Sequence, residues 1–165
     1  MAARRTRLWQ GEEGELASSA ATNNEGHLGT YATSPNRVKE DVANEKQIYE
    51  GGYAGRQVFE LVQNAADAAR IAGVDGRIEL FLSKTGSLYC ANTGEPLTAD
   101  GLTALQFNRL SPKTNQDVEL IGRFGVGFKS LLAVTKSPAI FSRTGSVLFE
   151  SDRAEEEIRS RVPQV

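Results

Sequence analysis

The sequence predicts an α/β domain, and three observations carry that reading. Apolar residues at helical spacing run from Val38 to Ala72. Two short pairs of strand-like segments follow, each folded over a turn that contains glycine. A long polar connection separates the pairs, and helices with hairpins in one chain of this size suit an α/β domain. With 165 residues and 39% of them hydrophobic, the chain is large enough to bury a core. The 19 Lys and Arg nearly balance the 21 Asp and Glu, which argues against a nucleic-acid-binding surface. No apolar run reaches the roughly 20 residues of a membrane span, and Met1–Leu16 lacks the apolar stretch of a secretory signal. A cytoplasmic location, without membrane contact, is the expectation. Arg4, Arg5 and Arg7 are answered by Glu12, Glu13 and Glu15, the pattern of a solvated tail. Cys90 is the only cysteine and His27 the only histidine, which excludes an intrachain disulfide and a Cys/His zinc set.

Along the chain, residues 1–33 are rich in Ala, Ser, Thr, Asn, Glu and Gly without a sustained apolar period, and are expected to form a mobile leader. The pattern changes at Ser34-Pro35. Val38, Val42, Ile48 and Tyr49 then mark a weakly amphipathic helix that stops at Gly51-Gly52. A second helix, about Tyr53 to Ala72, is apolar on nearly every face and ends at Gly73. Strands are expected at Arg77–Leu82 and Ser87–Asn92 across Ser83-Lys84-Thr85-Gly86, and at about Ala139–Ser142 and Ser146–Glu150 around Arg143-Thr144-Gly145. The connection from Thr93 to Leu120 holds a short helix near Ala99–Phe107 and the polar run Ser111–Asp117. Its length suits a lid. Residues 34–150 form the expected domain, and residues 151–165 a charged, helix-prone segment without a clear apolar face.

Three segments could carry chemistry. In Glu60-Leu61-Val62-Gln63-Asn64-Ala65-Ala66-Asp67-Ala68, helical geometry places Glu60, Asn64 and Asp67 on one stripe of an otherwise apolar rod. Two carboxylates and an amide oxygen in a row could hold hydrated Mg²⁺ and position a water, or could be a surface stripe with a salt bridge. In Ile121-Gly122-Arg123-Phe124-Gly125-Val126-Gly127-Phe128-Lys129-Ser130, three glycines precede a helix start, an arrangement that can cradle an anion. The spacing is neither a dinucleotide fingerprint nor a Walker loop. Lys129 could offer charge to a phosphate but reads better as a solvated lysine, and Ser130 as part of the helix start. In Tyr89-Cys90-Ala91-Asn92-Thr93-Gly94-Glu95-Pro96, a polar residue at a strand end beside a glycine could read a base edge or close an Asx-type turn.

The order of the three is more specific than any one of them. ELVQNAADA followed by ANTGEPL and IGRFGVGFKS resembles the ATP-binding domain of the GHKL superfamily, over about Val38 to Glu150, and the glycine box is most similar to the chaperone branch. EGGYAGRQVFELVQNAADAAR and ANTGEPLTADGL look most like the sacsin-type ATPases of that branch. The resemblance implies a two-layer α/β sandwich of the Bergerat type with a long lid loop, binding ATP and Mg²⁺. It implies that Glu60 orients or deprotonates the attacking water and that Asn64 holds Mg²⁺ against the phosphates. Asp67 matches a supporting acid, with a structural hydrogen bond as the equal alternative. Asn92 matches the position that reads adenine, with Gly94 in the turn after it. Gly122, Gly125, Val126 and Gly127 match the backbone that closes over phosphates, and Phe124 would contribute its N–H.

Departures from the family pattern bear on function. Where the family has Asp-x-Gly-x-Gly, this chain has Asn92-Thr93-Gly94-Glu95-Pro96, so the base would be met by a neutral hydrogen bond and Pro96 would stiffen the turn. The family fold continues with further strands not visible after Glu150, so the sheet is expected to lack its last strands and the chain to be the front of a longer protein. The leading expectation is an ATP-hydrolysing conformational switch in which residues 98–120 close as a lid and act on a downstream domain or client, with a homodimer possible in such families. A non-catalytic nucleotide sensor or interaction module is the alternative, and a DNA-acting ATPase of the gyrase or MutL kind is a third.

Overall fold

The computed structural model describes residues 14–50, 55–106 and 127–163. In chain order it contains α1 (Glu15–Thr33), α2 (Asn36–Glu50), α3 (Gln57–Ala72), β1 (Ile78–Leu82), β2 (Leu88–Asn92) and α4 (Ala99–Gln106). A 3-10 helix (Phe128–Ala133) leads to β3 (Ala139–Ser142), β4 (Gly145–Leu148) and α5 (Ser151–Arg161). The chain is thus a mixture of helices and antiparallel strands, as the pattern predicts. Among the described residues the strands form two separate pairs, β1 with β2 and β3 with β4.

Residues 15–33 form a helix where the sequence leads one to expect a mobile leader. Leu16 is buried and shares a core cluster with Leu102 and Val147, packed by Ala20, Leu97 and Phe149. The reason this was hidden is that half of the packed stripe is polar. Asn23 Nδ2 donates to Thr103 Oγ1 at 3.0 Å and to Gln106 Oε1 at 2.7 Å, so amides and hydroxyls from α4 complete an interface that apolar periodicity cannot show. The turn at Ser34-Pro35 then reverses the chain, with Ser34 N–H donating to Thr30 O at 2.9 Å and Val38 N–H to Pro35 O at 3.2 Å. Val38, the first apolar residue of α2, is buried.

Helix α3 follows its sequence signals closely. Ala65 and Ala69 are buried on one side, and the helix closes on Gly73 in the left-handed conformation, φ 64°, whose N–H reaches Ala69 O and Arg70 O. Its expected start at Tyr53 lies outside the described residues. The β1–β2 hairpin pairs Ile78 with Asn92 and Leu82 with Leu88, and Arg77 closes its base by donating its N–H to Thr93 Oγ1 at 2.8 Å. Helix α4 is capped by Thr98, whose Oγ1 accepts the Gly101 N–H at 3.1 Å. The β3–β4 turn grips the chain just before it. Leu97 N–H donates to Ser142 Oγ at 3.0 Å, and Thr144 Oγ1 donates to Leu97 O at 2.6 Å.

Because Leu102 is fully buried in the core cluster, residues 99–106 are a fixed helix. Within the lid expected at 98–120, α4 is thus held in the core, and residues 107–120 lie outside the described residues. Helix α5 is charged along its length and contributes no buried residue, while Val162 just after it is fully buried. No helix among the described residues is long and apolar enough to cross a membrane.

Candidate functional site

The site is laid out along α3. Glu60, Asn64 and Asp67 occupy successive turns, so about 10 Å separates the first from the last along the axis. They do not form a uniform surface stripe: Glu60 is half-buried, Asn64 exposed and Asp67 only 8% exposed. Glu60 and Asn64 are therefore reachable from solvent, whereas Asp67 sits among the alanines that pack α3.

The glycine-rich segment meets this helix at Glu60. A side chain at Gly127 would overlap Glu60 Oε2 and lie 3.0 Å from its Cδ. The carboxylate thus rests against the bare backbone of Gly127, and a side chain there would have to displace it. Behind that contact the chain is held firmly. Fully buried Ser130 donates its Oγ to Gly127 O at 2.6 Å, and its N–H reaches the same oxygen at 3.1 Å. The helix expected to start here is instead a 3-10 turn with these short-range bonds. Gly122, Phe124, Gly125 and Val126 lie outside the described residues.

The Asn92 turn meets the same helix two turns further on. Glu95 N–H donates to Ala68 O at 2.9 Å, and Gly94, with φ 137°, lies so close that a Cβ would stand 2.6 Å from Ala68 C and 2.7 Å from Ala69 N. Both the conformation and the space demand glycine. Asn92 is exposed at the end of β2, with its Nδ2 donating to Thr93 O at 3.3 Å. That bond uses the amide nitrogen and not Oδ1, the acceptor of the side chain. The structure therefore brings Glu60 to Gly127 and Gly94 to Ala68, which places both glycine turns on one helix.

Lys129 is not the solvated lysine expected. It is 7% exposed, and its Nζ stands 3.1 Å from Glu45 Oε1 on α2. Burying an ammonium without a partner is costly, so the carboxylate accounts for its depth. His27 and Tyr31 on α1 stack beside this pair with ring centroids 6.0 Å apart, and Tyr31 Oη donates to Asp41 Oδ2 at 3.0 Å. Burial lowers the His27 pKa from its ordinary value, and Lys129 acts in the same sense while Asp41 and Glu45 oppose it. Burial, with the Asp41 hydrogen bond, holds the Tyr31 phenol above its usual range. Sequence reasoning missed this cluster, since its members come from three helices and only the lone histidine stood out. Burial also pushes the Cys90 thiol up, away from reactive thiolate.

The chain is 31% identical over 133 residues to the chaperone protein HtpG of Shewanella sp. strain ANA-3, and equally so to that of Shewanella baltica strain OS155. The match covers 61% of this chain and 21% of those relatives, and HtpG of Shewanella denitrificans gives the same values. The chain thus spans about a fifth of the length of the curated relatives it matches. No family model matches, and no solved structure gives a significant match. These likenesses carry a distant relation to the Hsp90-like ATPases of the GHKL superfamily.

Proposed function

We propose that this chain is the nucleotide-binding part of a chaperone-related ATPase switch of the GHKL type, with residues 34–150 as its Bergerat-type domain and the sacsin-like branch as its nearest kin. The observation that carries the reading is the contact of the Gly127 backbone with the Glu60 carboxylate, which sets a half-exposed acid beside the end of the glycine-rich segment. The donor set fits ATP with Mg²⁺. Exposed Asn64, one turn from Glu60, offers an amide oxygen suited to a hard cation, and glycine at 127 would let phosphate approach the backbone. When bound, Mg²⁺ would neutralise charge on the phosphates. Glu60 would hold and deprotonate the attacking water. Asn92 would accept from the adenine amine through Oδ1, and Asp67 would support that side of the site from within the helix packing. Gly122, Phe124, Gly125 and Val126 would complete the phosphate cradle, and the segment after Gln106 would close over it.

The work of such a switch would be done on a downstream domain or a client, in the cytoplasm and without a direct nucleic-acid partner, and a homodimer would fit it. The sensor reading is favoured by one observation, the neutral Asn92 followed by Pro96 in place of an acid and a glycine.

The test is calorimetric titration of the chain with ATP, with and without Mg²⁺, followed by steady-state hydrolysis. Parent protein should bind in a Mg²⁺-dependent manner. Glu60→Ala should bind within about threefold of it while turnover falls by about a hundredfold or more. Binding without hydrolysis by the parent would favour the sensor, and hydrolysis undiminished in Glu60→Ala would remove Glu60 from the chemistry. Absence of binding would overturn the reading.

A further inference from the structure

The glycine-rich segment must be held at its exit if Gly127 is to stay against Glu60, and the structure shows what could hold it. Two residues beyond Gly127, Lys129 turns inward and meets Glu45, 84 positions away in sequence, at 3.1 Å. One residue further on, Ser130 ties its side chain and its N–H to Gly127 O. A continuous path therefore runs from Glu45 on α2 through Lys129 and Ser130 to Gly127, and from there to Glu60 on α3. A lysine at the surface constrains nothing, because its stem is free to move. One buried to 7% exposure and ion-paired fixes the backbone that carries it, since the ammonium sits at that depth only with a carboxylate beside it.

We propose that Lys129 is a positioning residue, which through its ion pair with Glu45 pins the exit of the glycine-rich segment and so keeps Gly127 against the Glu60 carboxylate. The catalytic side of this inference rests on the reading of Glu60 above; the anchoring side does not. Among the described residues, His27 from α1 senses both members of the pair together with Asp41, and Tyr31, hydrogen-bonded to Asp41, senses Glu45. His27, as the only imidazole in the chain, gives a single signal that reports on the cluster.

The experiment compares the whole 165-residue chain with Lys129→Met, Glu45→Gln and Lys129→Arg. Amide hydrogen exchange is read at Ser130, with the Phe149 amide, bonded to Pro138 O at 3.0 Å, as the control. Exchange at Ser130 should quicken by about tenfold in Lys129→Met and Glu45→Gln, stay near parent in Lys129→Arg, and leave Phe149 unchanged. The His27 midpoint should rise in Lys129→Met, which removes a neighbouring positive charge, and fall in Glu45→Gln. If Lys129→Met does not fold, Glu45→Gln decides by the same two readings. In the hydrolysis assay kcat should fall in both variants with KM for ATP little changed, and Lys129→Arg should restore it. Parent protein without turnover would defeat the ATPase reading while the exchange data still decide the anchor. Unaltered exchange at Ser130 in the folded variants would overturn the anchor, and quickened exchange with kcat unchanged would overturn its role in positioning.

Discussion

On the β1–β2 hairpin Phe81 is 61% and Leu82 68% exposed, whereas on β3–β4 Val147 is 8% exposed and lies in the core with Leu16 and Leu102. Both hairpins are short, antiparallel and built from the same kinds of residue, so strand propensity does not separate them. What separates them is cover. The β3–β4 pair is gripped through Ser142 and Thr144 at Leu97 and is covered by Leu16 of α1, and the Phe128 ring packs tilted against Phe149 with centroids 5.0 Å apart. The β1–β2 pair rests on α3 with Ile78 and Cys90 half-buried, while Phe81 and Tyr89 face out from the opposite side, their rings 6.1 Å apart. A hairpin is a local event, and its burial is not.

Substitutions would break this contrast in graded steps. Leu102→Ala, in the core that β4 shares, should cost about 3 kcal/mol, read from urea unfolding; a loss under about 1 kcal/mol would show that the cluster is loosely packed. Gly94→Ala should cost about 2 kcal/mol, because its Cβ meets the α3 backbone at 2.6 Å and φ is 137°. Gly145, at the β3–β4 turn, has φ 149° but meets the Leu16 side chain at 3.2 Å, which can yield. Gly145→Ala should therefore cost about 1 kcal/mol, and a larger loss than at Gly94 would reverse the ranking of backbone over side-chain obstruction. Phe81→Ser, on the outward face, should change stability by no more than about 0.5 kcal/mol. A drop of the core-residue size there would mean that Phe81 is covered in solution.

Much of the fold was legible because its cues are local. The Gly73 stop, the two glycine turns and the helix at 99–106 each follow from a few neighbouring residues. Helix α1 was not legible, because Gly26, Gly29 and the Ser, Thr and Asn residues lower its intrinsic helix preference and its partners are Thr103 and Gln106. Within the site, the spacing of Glu60, Asn64 and Asp67 was readable, but the inward turn of Asp67 and the burial of Lys129 were not. A stripe at helical period tells which residues share a face and leaves open what covers that face.

From residue 34 onwards the sequence by itself determined most of the elements, their order and the two hairpin turns, because propensity, turn conformation and helical period act over a few residues. Only the tertiary structure decided that Gly127 lies on Glu60, that Gly94 lies on Ala68, that Lys129 goes inward to Glu45 and that residues 15–33 join the core. Those outcomes depend on pairs distant in sequence, Lys129 and Glu45 at 84 positions and Leu16 and Val147 further still, where the gain from burying apolar surface and matching a buried charge arises only once the whole chain has closed.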